Sequence, residues 1–230
     1  MYNTCVVKSE KSQYHNEIEQ LRNTLEKDKR EIYVNDLGAG SRKNKSNERK
    51  ICQIAKYSLK SAKEAQFLSC FASITQSKSI IELGCSLGLT SARIALDNPN
   101  TYINSIEGCE NIAKIAQNNF TKLNISNIKL HIGNFDTVFQ KILMDISADL
   151  IFVDGNHTKE ATLKYFNLAI DNMNPNGYIV FDDIYWSQEM TEAWNTIISD
   201  NRVSLSIDLF HFGIISISKD FSKQNFILKF

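Results

Sequence analysis

Hydrophobic residues in this chain gather into short runs separated by mixed stretches, and from residue 79 onward the alternation becomes regular. Runs of β-branched and aliphatic residues predict strands at 79–83, 101–106, 127–132, 148–153 and 177–181. Between and after them lie helix-compatible stretches at 89–96, 109–121, 134–143, 158–172 and 187–199. Strands alternating with helices in this way predict a parallel, doubly wound α/β sheet with right-handed crossovers. The end of the chain breaks the rhythm. Residues 203–209 and 213–218 are strand-like, but only Phe210, His211 and Phe212 separate them, too few for a crossover helix. They are expected to form an antiparallel hairpin closing one edge of the sheet.

Ahead of the sheet, residues 12–33 carry Ile18, Leu21, Leu25 and Ile32 among many charges, the narrow apolar stripe of a packing helix, a lid or a dimer contact. Helices are expected at 48–59 and 62–75. The segment from Asn35 to Ser41 holds Gly38 and Gly40, but no strong β-run precedes it and no Lys-Ser/Thr closes it, so it is a poor phosphate loop. Residues 41–50 carry Arg42, Lys43, Lys45, Arg49 and Lys50 against a lone Glu48, either a solvated loop or a cover that meets an acidic substrate. This divides the chain into an N-terminal helical extension or lid over 1–57 and a main domain over 58–230.

Composition narrows the function classes. With 230 residues and 43% hydrophobic content there is enough chain for one sizeable core. Lys+Arg and Asp+Glu are both 26, so no net field draws the protein to nucleic acid or to an anionic membrane. The first residues lack the apolar stretch of a signal peptide, and no window approaches the roughly 18 apolar residues of a membrane span, which suggests a cytoplasmic protein. Cys5, Cys52, Cys70, Cys85 and Cys109 are odd in number and scattered without a CxxC pair, so all five are expected to be free thiols.

The first strand of the alternating region runs into Gly84-Cys85-Ser86-Leu87-Gly88. Glycines there permit positive φ and close backbone approach, and the free amides of the next helix favour polar or anionic groups. The spacing is not GxGxxG, so a nicotinamide dehydrogenase loses its best support. The second strand ends in Glu107, a carboxylate placed to accept hydrogen bonds from both hydroxyls of an unphosphorylated ribose.

Glu82-x-Gly84-x-x-x-Gly88, Glu107 and Gly133-Asn134-Phe135 together resemble the class I S-adenosylmethionine-dependent methyltransferases, over about residues 60–218. The resemblance implies a Rossmann-like, seven-stranded sheet, mostly parallel with the C-terminal hairpin. It implies S-adenosyl-L-methionine held by Glu82, Gly84, Ser86, Gly88, Glu107, Asn134 and Asp154. Asn134 stands where the family more often has an acid near the adenine.

Two further strands end in acids, at Asp154 and at Asp182-Asp183. If those strands are adjacent and parallel, about 5 Å apart, the three carboxylates converge and repel unless protons or a cation compensate. Such hard oxygen ligands suit Mg²⁺, Ca²⁺ or Mn²⁺. The arrangement is similar to the metal-dependent small-molecule O-methyltransferases, a group that includes catechol and macrolide-sugar enzymes. That resemblance implies a divalent cation on Asp154, Asp182 and Asp183, with His157 as general base. Set against it, Asp154 can cap the helix near Thr158, Asp182 can order a loop, and His157 can be a surface residue. Tyr185 and Trp186 can wall an acceptor pocket, whereas Trp194, within a predicted helix, fits core packing. His15, His131 and His211 are weaker candidates.

The only prolines are Pro99 and Pro175, so the Pro-Pro motif of amino-methyltransferases acting on nucleic acid is missing. The expected function is methyl transfer from S-adenosylmethionine to a hydroxyl of a small-molecule acceptor, catalysed by His157 and Asp154. Nucleic acid and membrane are not expected as partners, and homo-oligomer formation stays open. The alternatives are a metal-independent enzyme acting on nitrogen and a non-catalytic S-adenosylmethionine-binding protein.

Overall fold

A computed structural model describes residues 1–7, 12–35 and 47–230. The glycine-containing segment after Asn35 and the first part of the basic run, including Arg42, Lys43 and Lys45, lie outside the described residues. The N-terminal part comprises a π-helical turn (Asn3–Val7), helix α1 (His15–Lys27), strands β1 (Glu31–Tyr33) and β2 (Glu48–Lys50), and helices α2 (Ile51–Ser58) and α3 (Ala62–Ile74). The helix expected over 12–33 is therefore shorter. After Lys27 the backbone of Asp28 turns extended, and its carboxylate accepts from the Arg30 amide and guanidinium, each at 3.0 Å. This side-chain turn competes with helix propagation and delivers Ile32 to β1, which pairs antiparallel with β2. The second helix starts at Ile51 for the matching reason: residues 48–50 are in β2.

The main sheet is built from β3 (Ser79–Leu83), β4 (Tyr102–Glu107), β5 (Ile128–Ile132), β6 (Leu150–Val153), β7 (Tyr178–Asp182), β8 (Leu205–Asp208), β9 (Phe212–Ser216) and β10 (Gln224–Ile227). Its order is β10-β8-β9-β7-β6-β3-β4-β5. Strands β3 to β7 run parallel, joined by α4 (Leu89–Asp97), α5 (Glu110–Lys122), α6 (Phe135–Asp145) and α7 (Lys159–Ile170); α8 (Gln188–Ser199) follows β7. Strand β9 pairs antiparallel with both β7 and β8, the expected hairpin. The doubly wound α/β sheet has its seven expected strands, and β10 adds an eighth, parallel to β8. This last strand has no apolar alternation to announce it. It is held by backbone bonds to Ser204 and Asp208 and by Phe230, which meets Phe67 and Phe212 edge-on.

Both faces of the central parallel strands β3, β6 and β7 are covered, which is why they read as continuous apolar runs. On β6, Ile151 and Val153 face a cluster with Phe139, Tyr165, Phe166 and Trp194, while Leu150 and Phe152 face Phe67, Phe71 and Ile94. Trp194 is core, as its helical position predicts, and packs so closely on Gly213 that a Cβ there would lie 2.6 Å from its ring. A third cluster joins Ile18, Leu21, Leu25, Ile51 and Ile54 of the N-terminal elements to Leu87, Leu89 and Ile112 around the glycine turn.

The expectation of five free thiols needs correction. Cys5 and Cys70 form a disulfide, Cα atoms 5.5 Å apart, and Cys52, Cys85 and Cys109 are free. Their separation of 65 residues gave no hint of pairing; the N-terminal turn packing on α3 brings them together. Among the described residues no helix is long and apolar enough to cross a membrane.

Candidate functional site

The carboxyl ends of β3, β4, β6 and β7 and the turn after β5 border a cavity of about 780 Å³. At its floor β3 leaves the sheet through Gly84, whose φ is +94° and whose added Cβ would lie 2.1 Å from the Asp154 carbonyl oxygen. Only glycine permits β3 and β6 to approach so closely while the chain turns. Gly88, at φ +82°, packs against the Phe120 ring and starts α4. Glu107, ending β4, fixes the turn between them: its carboxylate accepts from the Ser86 amide and the Cys109 amide, both at 2.9 Å. The Ser86 hydroxyl is buried without a partner among the described residues. Asn134 caps α6, accepting from the Asp136 amide at 2.8 Å.

Gly84, Ser86, Glu107 and Asn134 line the cavity; Glu82 and Gly88 do not. Glu82 lies beneath the turn, 1% exposed, accepting from the hydroxyls of Ser91 and Ser105, with its other oxygen unpartnered. Burial pushes its carboxyl up to about 7 despite those two hydrogen bonds.

On the β6–β7 side stand the acids. Asp182 is 1% exposed, and it converges with Asp154 and His157 so that one ligand atom from each lies within 4.8 Å of the others. His157 Nε2 is 3.8 Å from Asp154 Oδ1. Asp183 lines the cavity but stays outside this group, its backbone turned to φ +52° with the amide donating to the His211 carbonyl at 2.9 Å. Of the three carboxylates expected to converge, the structure gathers Asp154 and Asp182 and adds His157 in place of Asp183.

The sequence reading missed Lys60. Its ammonium pairs with the Asp182 carboxylate and lies 3.3 Å from Asp154 Oδ1. The residue sits between α2 and α3, and its backbone is fixed from both sides. Arg22 of α1 donates to the Lys60 carbonyl at 2.8 Å, and Ser61 opens α3 in a reciprocal capping box with Glu64. Nothing in a lone lysine pointed to this role; the Ser61-x-x-Glu64 box was the one signal that its backbone would be fixed.

The charges follow from this packing. Burial disfavours the Lys60 ammonium, but the charges of Asp154 and Asp182 outweigh it and hold the group above the ordinary lysine range. Desolvation, then Asp154, pushes Asp182 well above the usual carboxylate value; desolvation also raises Asp154, opposed by Lys60. Burial lowers His157, leaving a neutral imidazole near pH 7.

Trp186 lines the cavity and is half exposed. Tyr185 instead bonds Asp208 at 2.5 Å and stacks on Phe210. His15, His131 and His211 do not line the cavity; His131 pairs with Asn104 and His211 packs between Phe210 and Phe230.

A family model described as a methyltransferase domain matches residues 81–184, from within β3 to the turn after β7. This stretch is similar to a methyltransferase domain. The chain is 28% identical over 133 residues to an uncharacterized protein of Acanthamoeba polyphaga mimivirus, covering 52% of this chain and 59% of that one. It is 26% identical over 133 residues to a Dictyostelium discoideum protein described as probable caffeoyl-CoA O-methyltransferase 3, covering 56% and 52%. The matches thus span just over half the length of these curated relatives. Among solved structures, the fold is similar to the S-adenosylhomocysteine-bound Podospora anserina methyltransferase PaMTH1, with a TM-score of 0.68, 16% identity, and 92% and 91% of the two chains covered. The Bacillus cereus O-methyltransferase in complex with S-adenosylhomocysteine gives 0.62, 18% identity, 93% and 94%. Lys60 lies ahead of the matched methyltransferase domain, so the domain match and the cation in its acidic site come from different parts of the chain.

Proposed function

We propose that the protein transfers a methyl group from S-adenosylmethionine to a hydroxyl of a small-molecule acceptor. One observation carries the reading: a single cavity is bordered by the Gly84–Glu107–Asn134 floor on one side and by Asp154 and His157 on the other. The residues fit the donor. Gly84 keeps the floor open where any Cβ would collide, and the buried Ser86 hydroxyl lacks a partner that a polar ligand can supply. Glu107 faces the same space with a carboxylate suited to ribose hydroxyls.

S-adenosylmethionine supplies an activated methyl on a sulfonium; the chain has to place the acceptor oxygen and take its proton. His157, neutral at physiological pH and bordering the cavity, accepts that proton, and Asp154 beside it steadies the imidazolium that results. The donor set Asp154, His157 and Asp182 supports a second reading in which a divalent cation activates the hydroxyl. The Lys60 ammonium, however, takes the ground between the two carboxylates where such an ion would sit.

The test is calorimetry with S-adenosylmethionine, followed by transfer of its labelled methyl to a panel of hydroxylated and amino acceptors. Binding and labelling of hydroxyl acceptors are expected, with His157→Gln lowering kcat roughly 100-fold at little change in S-adenosylmethionine affinity. Labelling of amines alone would move the protein to the nitrogen class, and binding without any transfer would make it a non-catalytic binder.

A further inference from the structure

We propose that Lys60 is the resident cation of the acidic site, standing between Asp154 and Asp182 where a divalent metal ion would sit, with a remaining N–H for the acceptor oxygen. Its placement is built. The side chain is 14% exposed, Asp154 15% and Asp182 1%, so the three charges meet out of bulk water. The carbonyl of Lys60 is held by Arg22, which Glu19 holds in turn at 3.2 Å, and the next residue is locked into the α3 cap. The lysine therefore projects from a fixed point instead of sweeping a loop.

Metal and ammonium exclude each other here. Mg²⁺ demands oxygen ligands at about 2.0–2.1 Å in near-octahedral geometry, and the two carboxylates that would begin such a shell face Lys60. The third donor is the His157 nitrogen, which suits softer ions better than Mg²⁺. A divalent ion must therefore displace an ammonium already neutralising the pair, or sit beside it against Coulomb repulsion. The Lys60 ammonium hydrogen-bonds Asp182, forms an ion pair with Asp154 at 3.3 Å, and borders the cavity. Of its three N–H donors, one is left in this reading for an oxygen there, where an ammonium favours the developing alkoxide as a metal would. The acceptor role rests on the methyl-transfer reading; the exclusion of metal does not.

The experiment is Mn²⁺ binding to the full chain, read by the electron paramagnetic resonance of the free ion, for the wild type and Lys60→Met. Wild type is expected to bind weakly, and the variant, with two carboxylates no longer compensated, at least about tenfold more tightly. Equal, tight binding by both overturns the proposal. Folding of the variant is followed by circular dichroism. If Lys60→Met alone does not fold, Lys60→Met combined with Asp182→Asn is expected to recover a wild-type spectrum, since one carboxylate no longer needs a counter-charge; failure to recover overturns the pairing. Labelled-methyl transfer by wild type in excess chelator is expected to be unchanged. Activity abolished by chelator and restored by Mg²⁺ overturns the proposal while leaving methyl transfer itself established, whereas Mn²⁺ binding is readable even if no acceptor is labelled.

Discussion

Glu82 is a carboxyl buried to 1% exposure, with two hydroxyl donors on one oxygen and no partner for the other among the described residues. Burial raises its pKa from 4.5 to about 7, which makes the folded state bind a proton that the unfolded chain releases. The sign follows: its contribution to stability is full below pH 4.5, falls as pH rises, and is gone above about 7. The difference in unfolding free energy between wild type and Glu82→Gln, measured by urea denaturation, should shift by roughly 3 kcal/mol across that window, with the variant flatter. A constant difference from pH 4 to 8 would contradict the burial argument. Glu82 and Gly84 were legible in the sequence because a strand end followed by a glycine turn leaves few places for a carboxyl. Lys60 was not, because a lysine between two helices has no pattern of its own; its partners lie 94 and 122 residues away in sequence.

At the scale of elements, strand ends were easier to read than helix ends. Each of β3 to β7 lies within a residue or two of its expected place, and for β3, β6 and β7 burial on both faces demands unbroken apolar runs. Helix α1 ended early on a short-range competition, Asp28 with Arg30, that periodicity does not weigh. Strand β10 went unseen because its exposed residues carry no alternation and its partners are the β8 backbone and the aromatic Phe230 contacts. The acidic group was legible as far as strand order allowed: adjacent β6 and β7 bring Asp154 and Asp182 together, whereas the turn at Asp183 carries its side chain out of the cluster. The same turn-scale reasoning gives α1 a role in the site. Arg22 is the brace between α1 and the α2–α3 connection, donating to the Lys60 carbonyl while only 13% exposed. Arg22→Met keeps most of the apolar stem and deletes the charged hydrogen bond, so it should cost about 1.5 kcal/mol in urea denaturation. It should also raise the KM for the acceptor more than it lowers kcat. A change confined to stability would mean that α1 braces the fold and not Lys60.

For the molecule as a whole, the question is whether residues 1–57 are an appendage or part of the core. Ile18, Leu21 and Leu25 of α1 and Ile51 and Ile54 of α2 bury themselves against Leu87, Leu89, Cys109 and Ile112, the residues that surround the glycine turn and start α5. Val34, Arg49, Ile54 and Tyr57 also border the cavity, so the N-terminal part supplies one of its walls. The disulfide ties the first residues to α3 as well. A chain starting at residue 58 would retain Lys60 and every acid of the site, yet bare the apolar surface around the cofactor turn. Exposed contiguous apolar surface drives association, and Leu87 and Leu89 lie within and directly after the turn whose Ser86 amide Glu107 must hold. The 58–230 fragment is therefore expected to self-associate in sedimentation and to bind S-adenosylhomocysteine at least about tenfold more weakly than the full chain, the equivalent of roughly 1.4 kcal/mol. A monomeric fragment with full affinity would show instead that the extension is a separable lid, and would move its role from building the cavity to covering it.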